Sequence, residues 1–347
     1  MVLSILSSVM VIHTVLMLTT DLTWEKTTTW NGGIDFGILN QRFTASLDVY
    51  YRKTTDLINN VTLSVGSNFS NKINSNIGSL HNFGIEGALS GNIIETKDFT
   101  WNLGYNVTWN KNKIDELVGG DESSYRIPYG GLPIGDKSTD GIKAYHVGQA
   151  VSTYFVYQQV YDEKGEPIRG CYVDRDHNGV INDGDRYYYK KADPDVTMGL
   201  TSKFIYKNWD LSFSMRANFN NYVYNAVEAS NANLSLSSLY SGAAWHGVVD
   251  MDLQKNWTAA GAKDVLSDYF IQNASFLKLD NITLGYSFDR LFHNGSFSGL
   301  SGRIYATAQN VLTVTKYKGL DPEVNGGYDS NIYPRPFTGI LGISLNF

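Results

Sequence analysis

The residues best placed to do chemistry lie in one acidic stretch, Asp174-Arg-Asp176-His-Asn178-Gly179-Val180-Ile-Asn182-Asp-Gly-Asp185. With Asp174 as position 1, Asp176, Asn178, the Val180 carbonyl, Asn182 and Asp185 take positions 3, 5, 7, 9 and 12 of a calcium loop. Gly179 stands at position 6, where such a loop needs a sharp turn for its oxygens to converge. Hard oxygen donors at this spacing suit Ca²⁺. Position 12 is Asp rather than Glu, which shortens the reach for bidentate ligation, and no helical pattern flanks the loop as an EF-hand requires. The competing reading is an acidic Asn/Gly turn that holds its shape without metal.

Catalytic constellations are absent from the sequence, and no enzyme activity is expected. The six histidines (His13, His81, His146, His177, His246 and His293) are scattered, and none stands in H-E-x-x-H. There is neither a P-loop nor a nucleophile elbow. Cys171 is the single cysteine, so no disulfide framework or thiolate metal cluster exists. Loop aromatics Tyr125, Tyr129, Tyr240 and Trp245 are candidates for stacking on sugar rings; plain loop packing is the alternative.

Composition narrows the partners. The formal net charge is −6 and no basic stripe is present, which excludes nucleic acid as a partner. Charged residues make up only 18% and aromatics reach 13%, with 23 tyrosines. A mean hydropathy of −0.23 is too polar for a bundle of membrane helices, yet it suits a barrel whose strands are apolar only on alternate residues.

Long alternating segments carry these residues. In one, Phe99, Trp101, Leu103, Tyr105, Val107 and Trp109 alternate with Thr, Asn and Gly. A second alternates Trp209, Leu211, Phe213, Met215, Ala217 and Phe219 with Asp210, Ser212, Ser214, Arg216 and Asn218. Others cover Trp30–Ile38, Phe43–Tyr51, a return strand from Gly84 through Ile93, Met198–Phe204, Phe276–Phe288, Arg303–Tyr317 and residues 338–347. The last places Leu341, Ile343, Leu345 and Phe347 on one face. Period-two alternation this long fits strands with lipid on one side and water on the other. Short turns at 39–41, 97–98 and 207–208 alternate with long loops at 59–82, 115–195 and 228–272, as in an outer-membrane barrel. About nine spanning strands are expected. Residues 1–20 are apolar, and the composition changes abruptly at Asp21; they read as a signal-like segment or as foreign to the ancestral fold.

Several blocks resemble the C-terminal half of the SusC/RagA family of TonB-linked outer-membrane transporters of Bacteroidetes. They include Trp24-Glu25-Lys26 with Trp30-Asn31, Asp48-Val-Tyr50-Tyr51-Arg52-Lys53 and Asn82-Phe-Gly84-Ile85-Glu86-Gly87. The acidic stretch, Ser275-Phe276-Leu277-Lys278-Leu279-Asp280 and Gly319-Leu-Asp321-Pro322-Glu323 come next, in the family's order. The resemblance implies an antiparallel transmembrane β-barrel, with residues 21–347 forming the C-terminal part of a 22-stranded wall. It also implies an outer-membrane importer of oligosaccharides or peptides, lidded by a SusD-like lipoprotein and surrounded by outer-membrane lipid. TonB would engage only through a plug and N-terminal segment that have no counterpart in these blocks. On this reading the acidic stretch is a dockerin-like calcium loop at the barrel's outer rim. Two other readings stand beside it: a secreted Ca²⁺-dependent β-sandwich adhesin or sugar-binding protein, and a non-functional remnant of a disrupted transporter gene.

Overall fold

A computed structural model of the chain describes residues 22–62, 72–117, 125–131, 141–231, 265–289, 301–330 and 332–346. In chain order the strands begin with β1 (Lys26–Ile38), β2 (Phe43–Thr55), β3 (Ile58–Thr62), β4 (Lys72–Asn76), β5 (Ser79–Glu95) and β6 (Phe99–Glu116). Short strands β7 (Ile127–Tyr129), β8 (Lys143–Tyr145), β9 (Thr153–Tyr157), β10 (Gln159–Tyr161), β11 (Pro167–Tyr172) and β12 (Arg186–Lys191) come after them. Then come β13 (Val196–Tyr206), β14 (Trp209–Phe219), β15 (Tyr222–Asn225), helix α1 (Ala226–Asn231) and β16 (Ile271–Asn273). The chain continues through β17 (Phe276–Phe288), β18 (Ser301–Thr315), β19 (Tyr328–Asp329) and β20 (Thr338–Asn346).

Nine of these strands make one antiparallel sheet in the order β1-β2-β5-β6-β13-β14-β17-β18-β20. This is a section of barrel wall; β1 and β20 are its edges and do not pair with each other. Among the described residues no second sheet is stacked on it as a sandwich would require; the smaller sheets all belong to the connections at one end. Residues 39–42, 96–98 and 207–208 are short turns, and Leu39, Asn40, Gln41 and Lys207 take left-handed φ to make them. At the opposite end lie the described parts of four long connections, 56–78, 117–195, 220–275 and 316–337. Short turns mark the periplasmic end of an outer-membrane barrel and long loops the exterior.

The alternation read in the sequence sets the two faces. Trp101, Leu103, Tyr105, Val107 and Trp109 stand in register with Phe204, Ser202, Leu200, Met198 and Val196 on the outer face. Rings gather near its ends: Trp101 stacks on Phe204 at 5.5 Å and Trp209 meets Tyr286 at 4.8 Å toward the turns, while Phe83 meets Trp109 at 5.8 Å toward the loops. Trp109 lies eight positions on from Trp101, about 26 Å of strand and, at the tilt of a barrel strand, about 20 Å of bilayer depth. Ser202 breaks the apolar row, and its hydroxyl accepts a hydrogen bond from Trp101 Nε1 at 3.0 Å, so it is not left unpaired.

The opposite face is polar and cross-linked. Thr283 pairs with Thr307 at 2.8 Å, Asn281 donates to Ser214 at 2.5 Å, and Tyr50 donates to Asn110 at 3.1 Å. Arg303 grips Asp210 through two bonds of 2.9 and 2.6 Å that pass over Gly285, where a Cβ would run into the guanidinium. Glycine therefore makes room for a three-strand bridge.

Three boundaries depart from the sequence reading. The return strand starts at Ser79 rather than Gly84, because the polar run Ser79–Asn82 pairs with the upper part of β6 beyond the lipid band. A bulge between Asn92 and Ile94 sets Ile94, not Ile93, opposite Trp101. Residues 59–82, read as a loop, also hold the hairpin β3–β4. Residues 1–20 and Phe347 lie outside the described residues.

If the outer face meets lipid, a cation at mid-depth should be costly on that face alone. Leu200→Arg is expected to cost about 2–4 kcal/mol in denaturant unfolding from lipid vesicles. Thr201→Arg, one residue on and facing the other way, should cost far less; equal costs would refute the face assignment.

Candidate functional site

The sheet's own faces are exposed, and the densely buried core lies instead in the excursions above its loop end. Tyr154, Val156, Tyr157, Tyr224, Val265, Phe270 and Ile271 form its centre. Tyr154 is fully buried, and its hydroxyl meets the carbonyls of Tyr222 (2.9 Å) and Gly327 (2.6 Å), tying three excursions together. The Lys143 ammonium donates to the Gly326 carbonyl and sits over the Tyr154 ring at 5.0 Å. Burial lowers the Lys143 pKa to about 8, with Asp193 opposing the shift. This cap is the frame on which the acidic loop is mounted.

The acidic loop runs between β11 and β12. Arg186, directly after it, is anchored in the cap: its Nη2 donates to the Gly141 and Phe155 carbonyls at 2.6 Å each. Asp174, Asp176 and Asp185 each offer a carboxylate oxygen, all within 4.8 Å of one another. Asp185 is fully buried and accepts the N–H groups of Arg175 (2.7 Å) and Asn182 (2.8 Å). Those backbone donors, the Asn182 N–H above all, lower its pKa and hold it ionised against the cost of burial. Asp174 accepts the Gly179 N–H at 2.8 Å, which closes the turn; Gly179 (φ 78°) and His177 (φ 58°) both take left-handed backbone there. Asn178 donates to Asp176 at 2.8 Å, and Asn182 donates to the Val180 carbonyl at 3.0 Å. Positions 1, 3 and 12 of the predicted ligand set thus converge, while positions 5, 7 and 9 are engaged in hydrogen bonds around them. A divalent cation between three carboxyl groups this close together would offset their mutual repulsion.

The aromatic candidates are not gathered into one ligand surface among the described residues. Tyr129 stacks on Tyr145 at 4.2 Å and donates its hydroxyl to the Val151 carbonyl at 2.5 Å, so it is a packing residue. Tyr125 is half-buried at the edge of the same loop. Tyr240 and Trp245 lie outside the described residues. Cys171 is exposed and free.

Sequence reasoning overlooked a charge network that clamps the 316–337 excursion to the sheet. Glu323 accepts from Arg216 (2.8 Å), Lys278 (2.7 Å) and Arg335 (2.9 Å). Lys278, only 2% exposed, also reaches Asp321 at 2.7 Å, and Arg216 grips Asp280 at 2.6 Å. A bulge between Leu279 and Asn281 leaves Asp280 outside the regular ladder of β17 and β18. Burial opposes the Glu323 charge, yet hydrogen bonds from Lys278 and Arg216 outweigh it and hold its pKa below the usual value. The only sequence signal was the proximity of Lys278 to Asp280 and of Asp321 to Glu323; their pairing is tertiary.

Comparison with known proteins places this geometry. Residues 14–145 match the family model described as TonB dependent receptor-like, beta-barrel, a match that begins inside the apolar N-terminal stretch. The chain is 51% identical over 331 residues to the TonB-dependent receptor SusC of Bacteroides thetaiotaomicron, covering 94% of this chain and 32% of that protein. It is 30% identical to the TonB-dependent receptor P39 of Formosa agariphila, over 94% of this chain and 36% of the relative. The solved RagAB peptide transporter superposes with a TM-score of 0.73 at 24% identity, over 94% of this chain and 36% of that one, a likeness of fold. The chain therefore spans about a third of the length of the curated relatives it matches.

Breaking the clamp should be expensive where it is buried. Glu323→Gln leaves Lys278 with one carboxylate and is expected to cost about 2–3 kcal/mol, whereas Asp280→Asn, on the more exposed side, should cost about 1 kcal/mol or less. Because the folded Glu323 pKa is lowered, its contribution is fully present above the ordinary glutamate value of about 4.3. It is lost as pH falls through the folded value. Denaturant unfolding from pH 7 down to pH 3, wild type against Glu323→Gln, measures both; parallel pH profiles would refute the assignment.

Proposed function

We propose, for a chain that carries the barrel sequence of a SusC/RagA-type TonB-dependent receptor, that it supplies wall and outer rim to an outer-membrane nutrient importer. Receptors of this kind are outer-membrane β-barrel proteins of Bacteroidetes, and the belt of outward rings and aliphatics suits that location. The observation that carries the proposal is the joint one: 51% identity to SusC over 94% of the chain, on a sheet with one lipid-type face and one wet face. The solute class is oligosaccharide or peptide, driven by TonB and lidded by a SusD-like lipoprotein. RagAB, which shares the fold, is a peptide transporter by name, and SusC stands for the receptor type. The relatives are named as receptors, and the polar face of the described wall carries hydrogen-bonded Asn, Ser and Thr side chains suited to a wet lumen.

Deleting the gene from its host should abolish uptake of one labelled oligosaccharide or peptide class from a panel, and loss of TonB should abolish the same uptake. Unchanged uptake of every member would reject the importer reading.

The convergence of Asp174, Asp176 and Asp185 supports a second, separate element of the proposal: the loop between β11 and β12 holds Ca²⁺ as a structural ion. Asn178, Asn182 and the Val180 carbonyl would complete the oxygen set after giving up the hydrogen bonds these oxygens now accept from Val180 N–H, Gly184 N–H and the Asn182 amide. The ion would stiffen the cap and supply no reaction. Calcium should raise the thermal midpoint of the chain by several degrees, as expected for a ligand bound only to the native state. Asp176→Asn should remove most of that shift. An equal midpoint in calcium and in chelator would refute the metal reading.

A further inference from the structure

The outer surface carries a feature that neither import nor the calcium loop uses. Near the loop end of the sheet, Trp30, Tyr51, Phe83 and Lys111 lie in register across β1, β2, β5 and β6. One pleat repeat further toward the loops, Lys53, His81 and Lys113 lie in register across β2, β5 and β6. Ring contacts fix which face these rows occupy. Trp30 packs on Tyr51 at 5.7 Å and Tyr51 stacks on His81 at 5.6 Å, on the side of exposed Leu47, Val49 and Ile85. On the other side, Tyr50 reaches across Gly84 to Asn110. A basic row therefore stands directly above the aromatic row, on the lipid-facing surface, at the exterior end of the wall.

The charges in this strip are not consumed by the protein. Lys53, Lys111 and Lys113 are all exposed, and none of them enters an ion pair among the described residues. Neighbouring groups are already engaged: the His81 ring meets Asp115 at 2.7 Å, and Lys26 pairs with Asp56 at 2.9 Å. Asp195, whose charge Lys111 also feels, is held by Lys191 at 2.6 Å. Tyrosine and tryptophan mark the depth of the bilayer interface, so ammonium groups just beyond them sit among lipid headgroups. Their aliphatic stems can lie along the apolar wall while the charged tips reach outward. Lys53 and Lys113 are two strand spacings apart, about 10 Å at the backbone, so their flexible stems can converge on one group.

We propose that this strip, Lys53 and Lys113 above Trp30, Tyr51 and Phe83, with Lys111 at the end of the aromatic row, binds the phosphate-bearing headgroup of an outer-leaflet lipid. The aromatic row takes the first carbons of the acyl chains and the lysines take the phosphate. The proposal rests on the membrane reading of the sheet, and its test separates the two.

The full chain in neutral detergent is offered equal amounts of dimyristoylphosphatidylglycerol and dimyristoylphosphatidylcholine, and lipid retention is read by native mass spectrometry. The anionic lipid should be retained roughly tenfold better, since each lysine at an anionic surface contributes favourably. Raising the salt should shrink that preference. Lys53→Gln, Lys111→Gln and Lys113→Gln combined should abolish it, while Lys203→Gln on the wet face should leave it intact. Equal retention of the two lipids by the wild type, or an unchanged preference in the triple variant, overturns the headgroup site alone. Retention of neither lipid overturns the membrane reading with it. Displacement of the anionic lipid by millimolar inorganic phosphate overturns the lipid assignment in favour of a free-anion site. Because wild-type selectivity and its salt response are read independently, a triple variant that fails to fold still leaves the proposal decided.

Discussion

A strand that crosses a bilayer finds no water for its amide groups, so every N–H and C=O must meet a neighbouring strand. That constraint explains why nine strands lie in one sheet with long, nearly continuous registers instead of folding over into a sandwich. Once the backbone is satisfied sideways, each strand is free to show lipid one side chain and water the next. The sheet consequently has no hydrophobic core of its own. Leu341 is 86% exposed on the outer face, which would be a defect in a soluble domain and is an asset against acyl chains.

The dense packing that a soluble protein places behind its sheet appears here above it. The cap brings Ile142, Tyr154, Tyr224 and Phe270 together from separate excursions and anchors them through Lys143 and the tyrosine hydroxyls. Charge helps join it to the wall: Glu323 gathers three cations at the rim, and Lys278 beneath it is almost fully buried beside the apolar cluster of Val223, Ala274 and Tyr317. A polar clamp suits this boundary, because the wall's inner face is wet and offers few apolar groups to pack against.

How much of this was legible in the sequence depends on the range of the interaction. The alternation of Trp101 through Trp109 is local, so strand, face and lipid exposure could all be read from it. The calcium-type spacing from Asp174 to Asp185 is equally local, and the three carboxylates do converge. Ser79–Asn82 looked like loop because it is polar, yet it is strand because β6 extends beyond the bilayer to pair with it. The cap was opaque for a different reason. The run from Tyr154 to Tyr157 is buried on both faces and shows no alternation, and its partners Tyr222, Leu266 and Gly327 lie far along the chain. Glu323 likewise gives no local sign that Arg216, over a hundred residues earlier, will bind it.

The bond from the Tyr154 hydroxyl to the Gly327 carbonyl spans 173 residues, and that from Lys143 to Gly326 spans 183. Contacts so distant along the chain bear a large loop-closure cost and form late. Within the wall only some pairs, such as β1–β2 and β13–β14, are tight hairpins; β6 and β13 meet across the 117–195 excursion. The 316–337 connection lies between β18 and β20, so pairing of the last wall strand also brings Gly326 and Gly327 toward their partners in the cap. The cap is thereby closed by the same strand that ends the described wall, which couples the exterior packing to the last strand pairing.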